Sequence, residues 1–391
     1  MNVWVKKRLG EVCTLQRGFD LPTRQRQQGN YPLVSSSGCT DSQAEAKVSR
    51  PGVVTGRSGS IGSVFFVDKD FWPLNTTLYV KDFHGNEPRF IFYLLRNFDL
   101  KRFASGAGVP TLNRNSVHSE LVYIPSKVSE QKQIVTILDE AFEGIDRAIA
   151  NTEKNLANAR ELFESYLNTI FTQKGDGWEE KKLGDVCEKV EYGSSAKSLV
   201  EGEIPVLRMG NIQNGGIDWT NLLYTSDKEE IKKYLLKYND VLFNRTNSDE
   251  HVGKTAIYKS EMPAIFAGYL IRIHRKEELI DADFLHFYLN SYTAREYGKS
   301  IMSRSVNQAN INGTKLKGYP ISLPSLSIQK QIVENLSFLR KETQRLEAIY
   351  RQKLVSLNEL KQSILQKAFT GELTADTANQ TTKAAQEVNA A

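Results

Sequence analysis

The sequence predicts a mixed α/β (α+β) protein built from two copies of one unit, each a globular domain followed by a long helix. Three observations support this fold class: an internal repeat, two long stretches of regularly spaced apolar residues, and short β-rich runs between turn residues. The 391 residues exceed the size of one typical domain and suit two or three.

The repeat is clearest at the two ends of the unit. WVKKRLGEVC at 4–13 matches WEEKKLGDVC at 178–187 in six of ten positions, and QKQIV at 131–135 recurs at 329–333, each time after Pro-Ser. Between these anchors, Val109, Asn113 and Asn115 align with Val306, Asn310 and Asn312 at an offset of 197. Because the middles differ, we predict one duplicated scaffold, a pseudo-two-fold repeat, that carries two divergent sets of loops. Neutral drift of surface loops after duplication is the alternative.

Each unit is predicted to end in a long helix. Apolar or small residues recur at alternating steps of three and four from Val135 to Ile170, and a similar series runs from Leu336 to Ile364. This spacing is typical of a coiled coil. The first helix has 4 basic and 8 acidic residues over 130–171, and the second has 8 and 5 over 328–373. We therefore expect the helices to pair with each other, with another protein as the alternative partner.

The predicted organisation has five parts: a first globular domain (1–129), a central long helix (130–173), a second globular domain (174–327), a C-terminal long helix (328–373) and a disordered tail (374–391). Within the domains, Tyr31–Ser35 and Val64–Val67 are predicted strands. The segments 88–95 and 282–289 are predicted to form equivalent short helices, whose aromatic residues pack in the core.

Charge and loop composition allow a polyanionic partner. The first globular domain carries 17 basic and 10 acidic residues, although a solvated surface explains the same excess. Several glycine-containing or polar loops are rich in the residue types that DNA contacts need: arginine can read guanine, asparagine can read adenine, and serine can anchor phosphate. The predicted DNA contacts are Arg57, Ser58, Arg208, Asn211, Arg245, Asn247, Arg304 and Asn307.

No catalytic or metal site is predicted. VGKT at 252–255 lacks the upstream glycine of a phosphate loop because Ser248 takes that place. The five histidines have no ligand spacing, and Cys13 and Cys187 occupy equivalent repeat positions that suit packing. With three cysteines and no apolar run near the roughly 20 residues of a membrane span, we expect a cytoplasmic protein.

The layout over about residues 1–373 resembles the specificity subunit of Type I restriction-modification enzymes, the HsdS family. The resemblance rests on the W-x-x-x-x-L-G-acid-V openings of the domains, the QKQIV openings of the helices after Pro-Ser, and the alternation of domain and helix. It implies that each domain is a target-recognition domain for one half of a bipartite site on double-stranded DNA. It also implies that the helices form an antiparallel coiled coil that sets the gap between the halves.

The same resemblance implies partner proteins. Two modification (methyltransferase) subunits would dock on the helices, for which Gln131, Gln133, Gln329 and Gln331 are the predicted contacts. Those subunits would carry S-adenosylmethionine, and restriction subunits would carry ATP and Mg, so this chain itself would be non-catalytic and without cofactor. The alternative is a duplicated DNA-binding or scaffolding protein outside restriction that dimerises through its long helices.

Overall fold

The computed structural model of the protein describes residues 4–106, 110–305 and 308–373. The chain divides into two compact units: unit 1 is Met1–Glu153 with Gln352–Ala391, and unit 2 is Lys154–Arg351. Each unit therefore contains a globular domain and parts of both long helices. The predicted domain limits stay predictions, and the predicted tail at 374–391 lies outside the described residues.

The globular part of unit 1 is mixed α/β and leads into the first long helix. Its elements are β1 (Trp4–Arg8), α1 (Leu9–Val12), β2 (Thr14–Arg17), β3 (Tyr31–Ser35), β4 (Gly38–Gln43), β5 (Gly52–Gly56), β6 (Val64–Val67), β7 (Trp72–Pro73), β8 (Thr77–Asp82), α2 (Pro88–Asn97), β9 (Ala104–Ser105), β10 (Thr111–Leu112), α3 (Arg114–Ser119), β11 (Leu121–Pro125) and α4 (Val128–Gln173).

Unit 2 repeats this arrangement with additional elements. They are β12 (Glu179–Lys182), β13 (Cys187–Tyr192), β14 (Ile204–Leu207), β15 (Ile212–Gln213), β16 (Gly216–Ile217), β17 (Leu223–Thr225), α5 (Lys228–Tyr234), β18 (Val241–Asn244), β19 (Thr246–Asn247), β20 (Thr255–Ile257), β21 (Ile265–Phe266), β22 (Leu270–Arg275), α6 (Ala282–Asn290), α7 (Tyr292–Ile301), β23 (Ser303–Ser305), β24 (Gln308–Asn310), α8 (Gly313–Lys317), β25 (Pro320–Leu323) and α9 (Leu326–Thr370).

The sheets of the two units follow one topology. Unit 1 has a four-stranded sheet ordered β2-β8-β5-β6, and unit 2 has one ordered β13-β22-β18-β20. Unit 1 also has a three-stranded sheet ordered β4-β3-β7, and unit 2 has one ordered β17-β14-β21. In these sheets β3 pairs with β7, and β14 pairs with β21, in parallel. The first and last strands of each unit also pair with each other, as β1-β11 in unit 1 and as β12-β25 in unit 2. The predicted mixed α/β duplication is therefore confirmed.

The repeat alignment in the middle of the units needs a correction. Asn113 caps α3 and Asn312 caps α8, each accepting a backbone hydrogen bond through its side chain. The structurally equivalent offset here is thus 199, and the predicted offset of 197, which paired Asn113 with Asn310, is wrong. The sequence match placed similar residue types together, whereas the helix cap fixes the register. Val109 and Val306 lie outside the described residues.

The aromatic residues of the short helices pack in the cores, as predicted. In α2, Phe90, Ile91, Leu94 and Leu95 are buried on one face, and Pro88 occupies the first turn, where its missing N–H costs nothing. In α6, the side chain of Asp281 caps the helix by accepting from the N–H groups of Asp283 and Phe284 at 2.9 and 3.1 Å.

The long helices pack against each other within each unit. In unit 1, Leu138 of α4 and Leu365 of α9 belong to one buried cluster, and the Asp146 carboxylate binds the Lys361 ammonium at 2.6 Å. Gly371, the residue after α9, lies beside Trp4. The strand of Trp4 pairs with the one just before α4, so the helix pairing in unit 1 is antiparallel. In unit 2, Leu167 and Leu336 share a cluster, and Arg160 binds Glu347 at 3.1 Å.

Gln131 and Gln329 are equivalent buried side chains that connect helix to domain. The Gln329 oxygen accepts from the N–H of Asp281, and its amide donates to the carbonyls of Leu279 and Pro324, all at 2.9 Å. Gln131 makes the matching bonds to the Glu87 N–H and the Pro125 carbonyl. These side chains are only 1% and 0% exposed, respectively.

Their prediction as partner contacts is therefore wrong, because their polar groups are used inside the units. Gln133 and Gln331 are exposed, so for these two the prediction stands as a prediction.

Replacing Gln329 by leucine should destabilise the protein by about 1–3 kcal/mol, since the partly buried Asp281 N–H and two carbonyls lose their partner. The matched control is Gln331→Leu on the exposed side of the same turn, with an expected change within about 0.5 kcal/mol. Urea unfolding followed by circular dichroism measures both. Equal effects of the two substitutions would contradict this assignment.

Candidate nucleic-acid interface

Arg57 and Arg245 occupy the same structural position in the two units. Each directly follows the equivalent sheet strand, β5 or β18. The Arg57 N–H donates to the Thr76 carbonyl at 2.8 Å, and its own carbonyl accepts from the Leu112 N–H at 2.8 Å. The Arg245 backbone makes the corresponding bonds to Tyr269 and Ile311 at 3.0 and 2.9 Å. The backbone of both arginines is thus held between two other segments of its unit. We call each arrangement an arginine clamp.

The clamped side chains are also held alike. Nη1 of Arg57 donates to the Asn75 carbonyl at 3.5 Å, and Nη1 of Arg245 donates to the Gly268 carbonyl at 3.1 Å. In both units this carbonyl lies one residue before the carbonyl that accepts the arginine's backbone N–H. Asn75 precedes Thr76, and Gly268 precedes Tyr269. Both side chains are half-buried, and neither makes an ion pair with any described residue. Each clamp therefore presents a guanidinium without a carboxylate partner.

A row of small polar residues adjoins each clamp. In unit 1, Ser58 bridges to Thr111, which pairs with Ser105. In unit 2, Thr246 pairs with Asn310, which pairs with Ser303. Because Leu112 and Ile311 are equivalent, these rows occupy matching places. They supply hydroxyl and amide groups of the kind that bind phosphate oxygens or base edges.

Asn247 and Arg304 lie together in unit 2. Asn247 of β19 and Arg304 of β23 both pair with Ala309 of the central strand β24. Residues paired across a sheet point to the same face, so the two side chains share one face of the sheet β19-β24-β23. The Arg304 guanidinium binds the Asp249 carboxylate at 2.7 Å, and both side chains are exposed. Asn307, the remaining prediction in this segment, lies outside the described residues.

Arg208 and Asn211 flank a short turn next to β18. The Asn244 amide links this turn to the strand that precedes Arg245, donating to the Met209 carbonyl at 3.4 Å. Nη2 of Arg208 donates to the Asn221 carbonyl at 2.6 Å. Asn211 is 3% exposed, and its amide donates to the carbonyls of Asp218 and Thr220.

The prediction of Asn211 as a DNA contact is therefore wrong, because its amide closes the loop from inside. Arg208 keeps its place as a prediction.

Tyr192 belongs to the candidate site and was not predicted from the sequence. The Arg245 guanidinium lies 4.8 Å from the centre of its ring, within cation–π range. Its hydroxyl accepts from the Gly313 N–H at 2.7 Å. Tyr192 ends β13 and Arg245 follows β18, and their separation in sequence gives no motif that could have linked them.

Two cysteine thiols, those of Cys13 and Cys187, are buried. Burial raises the pKa of both the Cys13 and the Cys187 thiol to about 12, which disfavours the nucleophilic thiolate. The predicted packing role of these cysteines agrees with their burial. Across residues 4–106, 110–305 and 308–373, no group of three or more His, Cys, Asp or Glu could hold a metal ion.

A separate finding concerns the helices. No helix in the described part of the chain is long and apolar enough to cross a membrane.

The fold and the two clamps define a class: duplicated α/β proteins in which each unit presents an arginine on a fixed backbone, linked by long paired helices. The chain belongs to the family described as Type I restriction modification DNA specificity domain, whose sequence model matches residues 1–157 and 175–354. This membership does not favour the alternative of a scaffolding protein outside restriction.

Individual relatives agree with this assignment. The specificity subunit of the StySPI type I restriction enzyme of Salmonella potsdam is 29% identical over 290 residues, covering 71% of this chain and 62% of the relative. A relative from Methanocaldococcus jannaschii, whose name assigns it to the MjaX enzyme as specificity subunit, is 33% identical over 211 residues. The match covers 53% of this chain and 49% of the relative. The chain thus spans about half to under two thirds of the length of these curated relatives.

A solved chain from a study of complex assembly in the type I restriction-modification system has the same fold. The TM-score is 0.74 at 19% sequence identity, and the match covers 95% of this chain and 98% of the solved one.

Proposed function

We propose that this chain is the DNA-reading specificity subunit of a Type I restriction-modification complex, in which each unit reads one half of a bipartite duplex site. The single observation that carries the proposal is the arginine clamp, which recurs with the same backbone and side-chain hydrogen bonds around Arg57 and Arg245. A reader of two half-sites needs two equivalent positions, and the clamps supply them.

The clamp suits direct base reading. An arginine fork can make two parallel hydrogen bonds to guanine O6 and N7, but only if the guanidinium is held in one orientation. One Nη atom of Arg245 is bound to a carbonyl, and the guanidinium lies 4.8 Å from the centre of the Tyr192 ring. Nε is buried, whereas Nη2 stays available for a base, and the side chain loses less conformational entropy on binding.

We further propose that the long helices bind two modification subunits and that restriction subunits join the complex through them. Support comes from large apolar side chains left exposed on the helices, among them Leu162, Phe338, Ile349, Val355 and Leu360. Phe338 is 69% exposed. S-adenosylmethionine, ATP and Mg would then be held by those partners and not by this chain.

A domain exchange tests the two-reader proposal. Residues 1–127 are replaced by the corresponding segment of another family member, so that the junction falls just before α4. Sequencing of methylated sites, with modification subunits present, should show one half-site changed and the other retained. A change in both halves, or in neither, would refute separate reading by the two units.

A further inference from the structure

A cavity of about 860 Å³ lies within unit 2. Its walls come from α4, α6, α7 and α9, from the turn between β15 and β16, and from Lys254 just before β20. Cavities of roughly 300–1,000 Å³ hold small-molecule ligands in other proteins. None of its lining residues belongs to the arginine clamps, so the cavity is not explained by DNA reading.

The cavity has an excess of positive charge. Its cationic side chains are Arg160, Lys254, Arg295, Arg340 and Arg351, and its carboxylates are Glu164 and Glu347. Glu347 is already bound by Arg160 at 3.1 Å and by Arg351 at 2.9 Å. Three cations then face one remaining carboxylate, and none of the three forms an ion pair with a described residue.

Arg340 is fixed in place by neutral partners. Nη1 donates to Nε2 of His286 at 3.2 Å, and Nη2 donates to the Asn214 carbonyl. Burial, with Arg340 beside it, lowers the pKa of His286 to about 3, so this histidine is neutral and accepts the hydrogen bond. Burial also lowers the pKa of the Lys254 ammonium, with the nearby Arg295 adding to the effect. Nearby carboxylates, Glu164 and Asp283 beside Arg340 and Glu250 beside Lys254, act on these cations without forming an ion pair with them.

Gly215 permits this arrangement. It follows Asn214 in the β15–β16 turn, and both residues have positive φ, as a tight hairpin turn requires. A Cβ at Gly215 would lie 2.8 Å from Nη2 of Arg340 and 3.2 Å from Nε2 of His286. The hairpin is part of the additional material of unit 2, since in unit 1 β3 is followed directly by β4.

We propose that this cavity binds a phosphorylated small molecule carrying at least two negative charges. Five cationic side chains against two carboxylates line the cavity, and Arg340 is held in place among them, which suits a phosphate or diphosphate group. Phe163 and Phe287 add an apolar wall for the rest of the molecule, and their ring centres lie 6.4 Å apart. A phosphate of the DNA backbone carries the same chemistry, so the experiment must separate a small ligand from DNA.

Isothermal titration of the full chain with pyrophosphate and with ATP, each in buffer containing EDTA, tests the proposal. We expect saturable binding of at least one of them, weakened tenfold or more by Arg340→Gln. The matched control is Arg345→Gln on the same helix, outside the cavity and paired with Glu342, which should leave binding unchanged. Adding duplex DNA should not displace the small molecule.

Three results would overturn the proposal: no binding of either probe at millimolar concentration, equal binding by the Arg340 and Arg345 variants, or displacement of the probe by DNA. If Arg340→Gln fails to fold, the variant with Lys254→Gln and Arg295→Gln decides in its place. Neither of these side chains makes a hydrogen bond to a described residue. That variant should weaken binding severalfold, and unchanged binding would reject the site.

Discussion

Alanine at Arg245 is expected to relax the base requirement at one position of one half-site and to leave the other half-site unchanged. Loss of a bidentate arginine–guanine contact costs about 1–3 kcal/mol of discrimination, equivalent to roughly 5- to 150-fold in relative affinity. Arg57→Ala should produce the same change in the other half-site, because the two arginines are clamped by equivalent hydrogen bonds. Each variant is thus the matched control for the other.

Arg245→Lys separates charge from geometry. Lysine keeps the positive charge but lacks the planar fork, so it should retain the salt dependence of binding while losing most of the base discrimination. Selection of bound sequences from a randomised duplex library, at two salt concentrations and with the partner subunits present, measures both properties. A uniform loss over all sequences, with a shallower salt slope, would instead assign Arg245 to a phosphate.

Arg304→Ala tests a different surface of unit 2. Its guanidinium is exposed and bound to Asp249, so its removal should change specificity far less than removal of Arg245. If Arg304→Ala alone abolished reading of the half-site, the arginine clamp would not be the reading position.

Much of the fold could be predicted from the sequence because its signals are local. The apolar spacing of the long helices and the repeated QKQIV segments are patterns within one stretch of chain, and they identified both helices. The equivalence of α2 and α6 followed from aromatic residues at similar spacing. Such patterns depend only on the period of the secondary structure.

The middle of the repeat could not be aligned in this way. Its register depends on Asn113 and Asn312 as helix caps and on hydrogen bonds between distant segments, such as that from Leu112 to Arg57. Similar residues two positions away gave a better match in sequence. Residue type alone therefore favoured the wrong offset.

The sequence predicted only some of the candidate site residues, because it does not show which way a polar side chain points. Arg57 and Arg245 were chosen as arginines in polar loops, and the structure places them in equivalent clamps. Asn211 had the same kind of sequence context but lies inside its loop, and Gln131 and Gln329 lie inside the units. A polar side chain that closes a buried loop and one that reaches a ligand have the same sequence signature, since only the fold decides which way it points.

The second large effect is expected from lengthening both long helices together. Seven residues inserted after Thr152 in α4, with seven more after Leu354 in α9, should lengthen the paired helices by about 10 Å, or about three base pairs of duplex. The expected result is a longer unread gap with both half-site sequences unchanged. A heptad in each helix keeps the apolar face in phase.

Insertion in α4 alone is the control. The ion pairs Asp146–Lys361 and Arg160–Glu347 lie on either side of the insertion point in α4. One helix cannot grow by a heptad while both contacts are kept, so this variant should unfold at lower temperature and lose DNA binding. Inserting three residues in both helices should also fail, because it turns the buried face away from its partner.

The measurement is the spacing between half-sites in the methylated sequences made with each variant and its modification subunits. If the double-heptad variant folds and methylates with the original gap, the helices do not set the spacing. Contacts within the recognition domains, or the partner subunits themselves, must then fix the distance. A longer gap of about three base pairs, found only when both helices are extended, would assign that distance to the paired helices of this chain.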